Sequence, residues 1–300
     1  MSENPVHTSY RTGPRVRELL RQVQSILDAA AIENARSEAR DLVAALFGAA
    51  RFWPTLNADA EAPSEVVART LQAARLRASG APFAYCAGKA AFRHLTLTVN
   101  ERVLIPRQET EQLVELVLRH TEDHPGGLVA DIGTGSGAIA LSLATEGRDC
   151  FDGIIATDIS LAALSIARQN AAAIPPARRC PVDFRSGDMF SCVSELGLRA
   201  VVSNPPYVAF EEAAALPDNV RNWEPPEALY SALNGMHAVQ RLVHGGARAL
   251  RSGGLLAIEV DTRRAVDAAE LVMSSGNFEN TRIELDLAGR ERFVLATKGE

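Results

Sequence analysis

The sequence has no apolar run that reaches about eighteen residues, the length of a membrane-spanning helix. Polar residues fill Met1 to Gly13 and leave no signal-peptide core, so a cytoplasmic protein with a short frayed tail is expected. Cysteine is scarce: Cys86, Cys150, Cys180 and Cys192 never form Cys-x-x-Cys, which gives no support to a disulfide framework or a zinc site. His7, His94, His120, His124, His237 and His244 show no ligand spacing either. His120 and His124 close a helical pattern beside Pro125 and read as surface residues, so no metal is expected. There is no basic excess, with 31 Lys and Arg against 37 Asp and Glu and a net charge of −6. A duplex binder normally carries a basic footprint, so nucleic acid is not an expected partner. No internal repeat or low-complexity segment occurs. What remains is a globular composition, 47% hydrophobic and 23% charged over 300 residues, enough for one large domain and a smaller one.

The first third reads as helices. Val16, Leu19, Leu20, Val23, Ile26 and Leu27 recur at helical spacing, as do Leu42, Val43, Leu46 and Phe47. Ser64 after Pro63 is placed to cap a third helix through Val67, Leu71, Ala74 and Leu76. Such stripes bury their apolar faces only against each other, which predicts a small bundle over 14–82. Leu95, Leu97 and Val99 then alternate with Thr96, Thr98 and Asn100 as a half-buried strand. Together with Tyr85 to Phe92 it predicts a linking β-hairpin over 83–105. From residue 106 onward short apolar runs alternate with helical patterns: Leu128–Ile132, Gly153–Thr157, Val182–Arg185, Arg199–Ser203 and Leu255–Val260. That texture predicts a mostly parallel sheet covered on both faces over 106–300. Thr281–Leu287 and Glu291–Thr297 read as a closing hairpin at the sheet edge.

Two segments carry chemistry. In the first, a strand runs through Asp131 and Ile132 into Gly133-Thr134-Gly135-Ser136-Gly137 and then a helix, where glycines let the backbone turn tightly and approach a ligand. Asp158 ends a second strand about twenty residues on, where a carboxylate can accept both hydroxyls of a ribose. Gly133-x-Gly135-x-x-Ala138 also satisfies the loose dinucleotide fingerprint of dehydrogenases. Asp188-Met189-Phe190 after a third strand breaks the tie. Asp188 offers a polar group to an adenine amine, and Met189 or Phe190 offers the ring an apolar face.

The second segment is Asn204-Pro205-Pro206-Tyr207, which follows the apolar strand Ala200–Ser203. By composition it should arise by chance in about one chain in a thousand of this length. A planar amide or aromatic amine nitrogen is a poor nucleophile because its lone pair is delocalised. The Asn204 oxygen and the Pro205 carbonyl can accept its two N–H protons, and the prolines stiffen that carbonyl. Tyr207 presents a ring face to stack on it. Holding the nitrogen in line with an electrophilic methyl can supply on the order of 7–11 kcal/mol.

The chain resembles the release-factor glutamine methyltransferases (the PrmC/HemK type) over nearly its whole length. The resemblance is carried by Ile105-Pro106-Arg107-Gln108-Glu109-Thr110-Glu111, by Asp131 to Ala138, by Asn204 to Tyr207, and by Val220-Arg221, Glu224-Pro225, Ala228-Leu229 and Gly235-Met236. It implies a class I methyltransferase (Rossmann-like) doubly wound sheet with an N-terminal helical domain that holds a protein substrate. It also implies S-adenosylmethionine as cofactor and methyl transfer to the glutamine amide in the Gly-Gly-Gln motif of peptide chain release factors. The candidate cofactor-binding residues are then Asp131, Gly133, Thr134, Gly135, Ser136, Gly137, Asp158, Ile159, Asp188, Met189 and Asn204. Asn204, Pro205 and Tyr207 are the candidate catalytic residues, and Pro206, Arg107 and Glu111 join them in holding the substrate. A monomer is expected. Gln108, Cys86-Ala87, His94 and Asp261 depart from the family pattern, all in regions that shape substrate access.

Two alternatives stand beside this. A paralogue could methylate another planar nitrogen, such as the guanidino group of free arginine. A nicotinamide dehydrogenase accounts for the glycine loop and leaves Asn204 to Tyr207 unexplained.

Overall fold

The computed structural model describes residues 13–123 and 125–300, so the tail expected over 1–13 lies outside it except for Gly13, as do His7 and His124. The chain divides into two compact units, the first ending at Gly88 and the second spanning Lys89–Glu300.

The first unit is helical: α1 (Val16–Ala29), α2 (Ala35–Leu46), α3 (Trp53–Leu56), α4 (Ser64–Ala78) and α5 (Phe83–Ala87). Val16, Leu19, Val23 and Leu27 recur every three or four residues and are fully buried, where α1 packs on α2 and α4. Arg77 of α4 donates to both oxygens of Glu38 of α2, at 2.7 and 3.1 Å, a forked pair that pins the two helices. Two expectations need correction. Ser64 is the first helical residue and its side chain makes no capping bond; Pro63 is the cap, its carbonyl accepting from Val67 at 3.0 Å. Tyr85 to Ala87 are helical rather than hairpin. Pro82 starts that turn of helix, and Gly88 ends it at φ +69°, a left-handed stop that favours glycine.

In the second unit β1 (Lys89–Phe92) and β2 (Leu95–Thr98) form the antiparallel hairpin. The order continues α6 (Gln108–Thr121), β3 (Leu128–Ile132), α7 (Ala138–Glu146), β4 (Gly153–Asp158), α8 (Leu161–Ala172), β5 (Val182–Ser186) and β6 (Leu198–Ser203). It ends with α9 (Asp218–Arg221), α10 (Pro226–Leu229), α11 (His237–Ala249), β7 (Leu250–Glu259), α12 (Ala265–Ser274), β8 (Phe278–Leu285) and β9 (Glu291–Lys298). The seven-stranded sheet runs β5-β4-β3-β6-β7-β9-β8, parallel from β5 to β7, with β9 and β8 as the antiparallel edge hairpin.

Both faces of this sheet are buried. Val129, Ile154, Ala200, Val202, Leu255 and Leu295 face one core, with Leu113 and Val117 of α6 and Leu141 of α7. Their sequence neighbours Ala130, Ile155, Val201, Leu256 and Val294 face the other, against α11 and α12. Period-2 alternation between two apolar faces is why these strands read as near-continuous apolar runs. The chain winds outward from β3 to β5 in one direction and from β6 to β7 in the other. The switch between β3 and β6 opens a crevice at the strands' carboxyl ends, where such sheets bind ligands. Among the described residues no helix is long and apolar enough to cross a membrane.

Candidate active site

Five strand ends supply the site. Gly133 follows β3, Asp158 ends β4, Asp188 follows β5, Asn204 follows β6 and Glu259 ends β7. A cavity of about 360 Å³ is lined by Ile132, Gly133, Gly135, Asp158, Met189 and Asn204 among others. A second, of about 240 Å³, is lined by Leu104, Arg107, Asn204, Pro205, Tyr207 and Leu229 among others. Asn204 faces both.

Glycine is required at the first cavity's wall. Gly133 (φ +78°) and Gly135 (φ +55°) are left-handed, and a Cβ on either would project into open space. Four of the loop's own amides are already committed. Gly133 and Thr134 donate to the Thr157 carbonyl at 2.9 and 2.8 Å, Gly137 to Thr134 at 2.8 Å, and Gly135 to Asp158 Oδ2 at 2.9 Å. A dinucleotide's pyrophosphate needs free N–H groups and a positive field. Here it would meet four spoken-for amides, in a cavity lined by the three carboxylates of Asp158, Asp188 and Glu227 as well as by Arg102 and Arg241. The loop therefore disfavours the dehydrogenase alternative and suits a cationic, phosphate-free nucleoside.

Asp131 is fully buried beneath the loop, accepting from the Thr134 hydroxyl at 2.7 Å and from the Ala140 N–H at 3.1 Å. It stiffens the turn from below and lines neither cavity, and the same holds for Thr134, Ser136 and Gly137. Burial pushes the Asp131 carboxyl up to about 7 against those two hydrogen bonds. Asp158 accepts from Gly135 with one oxygen and from Ser160 N–H at 2.9 Å with the other, so it braces the loop it faces. Burial also raises its pKa, more than its backbone donors lower it. Ile159 is exposed and lines the cavity beside it.

Asp188 lines the cavity and accepts from Arg241 of α11 at 2.7 Å. Met189 lines it too, held at φ +54°, which a side-chain-bearing residue rarely adopts. The structure separates the two apolar candidates, because Phe190 packs its ring on Gly245 where a Cβ would collide.

The second cavity is built from remote pieces. Arg107 donates to Glu224 Oε1 at 2.7 Å, and the Ile105 N–H donates to Glu224 Oε2 at 3.2 Å. The Glu224 carboxylate is buried and joins the segment before α6 to the loop after the tetrapeptide. Arg264, buried after β7, donates to Glu212 at 2.8 Å and to the Asn234 carbonyl at 2.6 Å, which tethers the same loop from its other side. Tyr207 is half-buried; burial, followed by the nearby Glu259 charge, raises its phenol pKa, so it stays neutral. Pro206 lines the first cavity and Pro205 the second. Glu111 and Trp223 line neither. Glu109 and Glu111 lie in the first turn of α6, where the helix dipole favours carboxylates.

Sequence reasoning missed Thr110 and Glu259. Thr110 Oγ1 donates to Glu259 Oε2 at 2.7 Å and accepts from Asn204 Nδ2 at 3.0 Å. The available signal was one carboxylate, Glu259, closing an otherwise apolar strand run that reads as fully buried.

Comparisons with known proteins place the chain among methyltransferases. A family model described as the methyltransferase small domain matches residues 106–218, and one described as the PrmC N-terminal domain matches 18–88. The chain is 37% identical over 288 residues to the release factor glutamine methyltransferase of Moorella thermoacetica, covering 95% of this chain and 99% of that protein. It is also 37% identical to that of Cereibacter sphaeroides, over 94% of this chain and 98% of that protein. A methyltransferase structure from Pyrococcus furiosus, 15% identical, superposes with a TM-score of 0.51 over 70% of this chain and 92% of its own. The hMettl16 catalytic domain, 17% identical, does so with a TM-score of 0.55 over 79% and 81%. These last two likenesses speak to the class I methyltransferase fold alone.

Proposed function

The chain belongs to the release factor glutamine methyltransferase family, and on that premise we propose that it methylates the side-chain amide nitrogen of the Gly-Gly-Gln glutamine in peptide chain release factors. The observation that carries this reading is the position of Asn204 between two cavities, one walled by the glycine loop and one by Pro205 and Tyr207.

The first cavity fits S-adenosylmethionine: its glycines leave room for close approach, and its acidic groups suit a cation. Gly133, Gly135, Asp158, Ile159, Asp188, Met189 and Asn204 would hold it, while Asp131, Thr134, Ser136 and Gly137 shape the loop. When bound, it supplies an electrophilic methyl on a sulfonium sulfur. The chain's own groups do the rest. The Asn204 Oδ1 and the Pro205 carbonyl accept the amide's two N–H protons, and the Tyr207 ring supports its planar face. Arg107, neutralised by Glu224, lines the pocket wall. No strong base is needed before transfer, because the nitrogen becomes acidic only once it carries the methyl, and water can then take the proton. The helical unit, matched over 18–88 by the PrmC N-terminal model and including α5, would hold the body of the protein substrate, and the β1–β2 hairpin opens the unit that carries the site.

The small-molecule alternative receives no support from relatives that match along nearly the full chain. Methyl-labelled cofactor offered separately to a purified release factor and to free arginine decides between them. Label on the motif glutamine is expected; label on arginine alone would overturn the substrate.

A further inference from the structure

Asn204 has one amide with two unlike ends, and the proposed grip works with only one of them. An N–H donor on the substrate needs the Asn204 carbonyl; the NH₂ end would repel it. In an isolated asparagine the two orientations interconvert by rotation about the side chain, so something in the structure must choose.

The choice is made by a buried relay. Glu259 is 1% exposed at the carboxyl end of β7, and as a carboxylate it can only accept. Thr110, itself 4% exposed on the first turn of α6, has a single hydroxyl proton and donates it to Glu259 Oε2 at 2.7 Å. With that proton committed, the Thr110 oxygen can only accept from its other neighbour. That neighbour is Asn204, whose Nδ2 donates to it at 3.0 Å. Among the described residues nothing donates to Asn204 Oδ1, and the residue lines both cavities.

We propose that Thr110 and Glu259 are positioning residues that lock the Asn204 amide with its carbonyl oxygen presented to the incoming substrate nitrogen. The inference rests on the amide-gripping role proposed above. It gives a task to a carboxylate buried at the end of β7, where an unpaired charge is costly. It also assigns a task to the threonine of the Gln108-Glu109-Thr110-Glu111 stretch.

Polarity of the relay depends on the Glu259 proton. Burial pushes this carboxyl up to about 7; the Thr110 hydrogen bond and the Arg292 guanidinium of β9 pull it down, Glu109 pushes it up, and Arg107 pulls it down. The Tyr207 phenol, neutral after β6, faces the same charge. Once protonated, Glu259 can donate to Thr110, which frees the threonine proton for the Asn204 carbonyl and favours the reversed amide.

The test pairs a direct readout with turnover. In ¹⁵N-labelled protein, the Asn204 side-chain signals (assigned by their loss in Asn204→Asp) should move through a single transition as Glu259 titrates. That transition should vanish in Thr110→Val and in Glu259→Gln. In methyl transfer, Thr110→Val should lower kcat by about 10–100-fold, the scale of a misplaced reacting group. The loss should fall mainly on kcat rather than on KM for the release factor; the melting temperature should drop because the buried Glu259 loses its hydroxyl partner, and Thr110→Ser should restore turnover and melting together. Asn204 side-chain signals that Thr110→Val leaves unmoved, or a transition that survives Thr110→Val, would overturn the relay; so would a Thr110→Val enzyme that turns over normally. The titration requires no methyl acceptor. Unlabelled release factor with wild-type enzyme would strike only at the substrate reading, and the titration would still decide the relay.

Discussion

The two sides of Asn204 are built on opposite plans. On the cofactor side the bonds that shape the glycine-loop wall are local: Thr134 to Asp131, Ala140 to Asp131, Ser160 to Asp158, and Gly135 to Asp158 across one βαβ unit. On the acceptor side they join residues far apart in the chain: Asn204 to Thr110, Thr110 to Glu259, and Arg107 to Glu224. A locally wired wall can be damaged without touching the rest of the sheet. A wall assembled from remote pieces cannot, because each contact also closes a long loop.

The largest expected effect falls where the two plans meet. Asn204→Ala should lower turnover by about 10²–10³-fold, the scale on which one pre-organised hydrogen-bonding group acts in a transition state. Far-ultraviolet circular dichroism should be unchanged. Near-normal single-turnover rates would remove Asn204 from the chemistry. Next comes Arg107→Ala on the acceptor side, which strands the buried Glu224 carboxylate. It should cost about 3 kcal/mol in denaturant unfolding, in line with breaking one partner from a buried pair. An unchanged unfolding midpoint would show that the remote wiring carries no load. Asp158→Ala on the cofactor side should do the reverse, weakening S-adenosylmethionine binding about tenfold or more, about 1.4 kcal/mol, with little change in melting. If the apo-protein instead melted as early as Arg107→Ala, the contrast between the two sides would fail.

The same contrast explains what the sequence made legible. The sheet strands were readable because burial on both faces leaves apolar runs of strand length, and Gly133 to Gly137 because left-handed backbone beside a ligand demands glycine at fixed spacing. Asn204 to Tyr207 was readable as a contiguous motif. Thr110 and Glu259 were not, because 149 residues separate them: the parallel placement of β6 and β7 brings Glu259 beside Asn204, and the packing of α6 on β7 brings Thr110. Phe190 and Met189 were indistinguishable in sequence, since the choice depends on Gly245 leaving space on α11 for a ring. Ser64 misled for a local reason: Pro63 already occupies the capping position with its fixed φ.

The last expected effect concerns protons, and here the two sides should agree. Each holds one wholly buried carboxyl raised to about 7 mainly by burial, Asp131 under the glycine loop and Glu259 behind the tetrapeptide. In the unfolded chain both titrate near about 4. Between those values the native state keeps a proton that the unfolded state has released, so each group's contribution to stability is present below about pH 4, is lost as pH rises to about 7, and is flat above. Carboxylates held low by partners act in the opposite sense, among them Glu195 beside Arg185, lowered to about 2. The net wild-type profile therefore mixes both. Subtracting it from that of Asp131→Asn or Glu259→Gln isolates one group at a time. Each variant should gain on the wild type as pH climbs from about 4 to about 7, measured by guanidinium unfolding of the apo-protein. A difference profile that is flat, or that slopes the other way, would mean the carboxyl is ionised at neutral pH at no cost. For Glu259 that outcome would leave the relay to Asn204 in a single polarity throughout the physiological range.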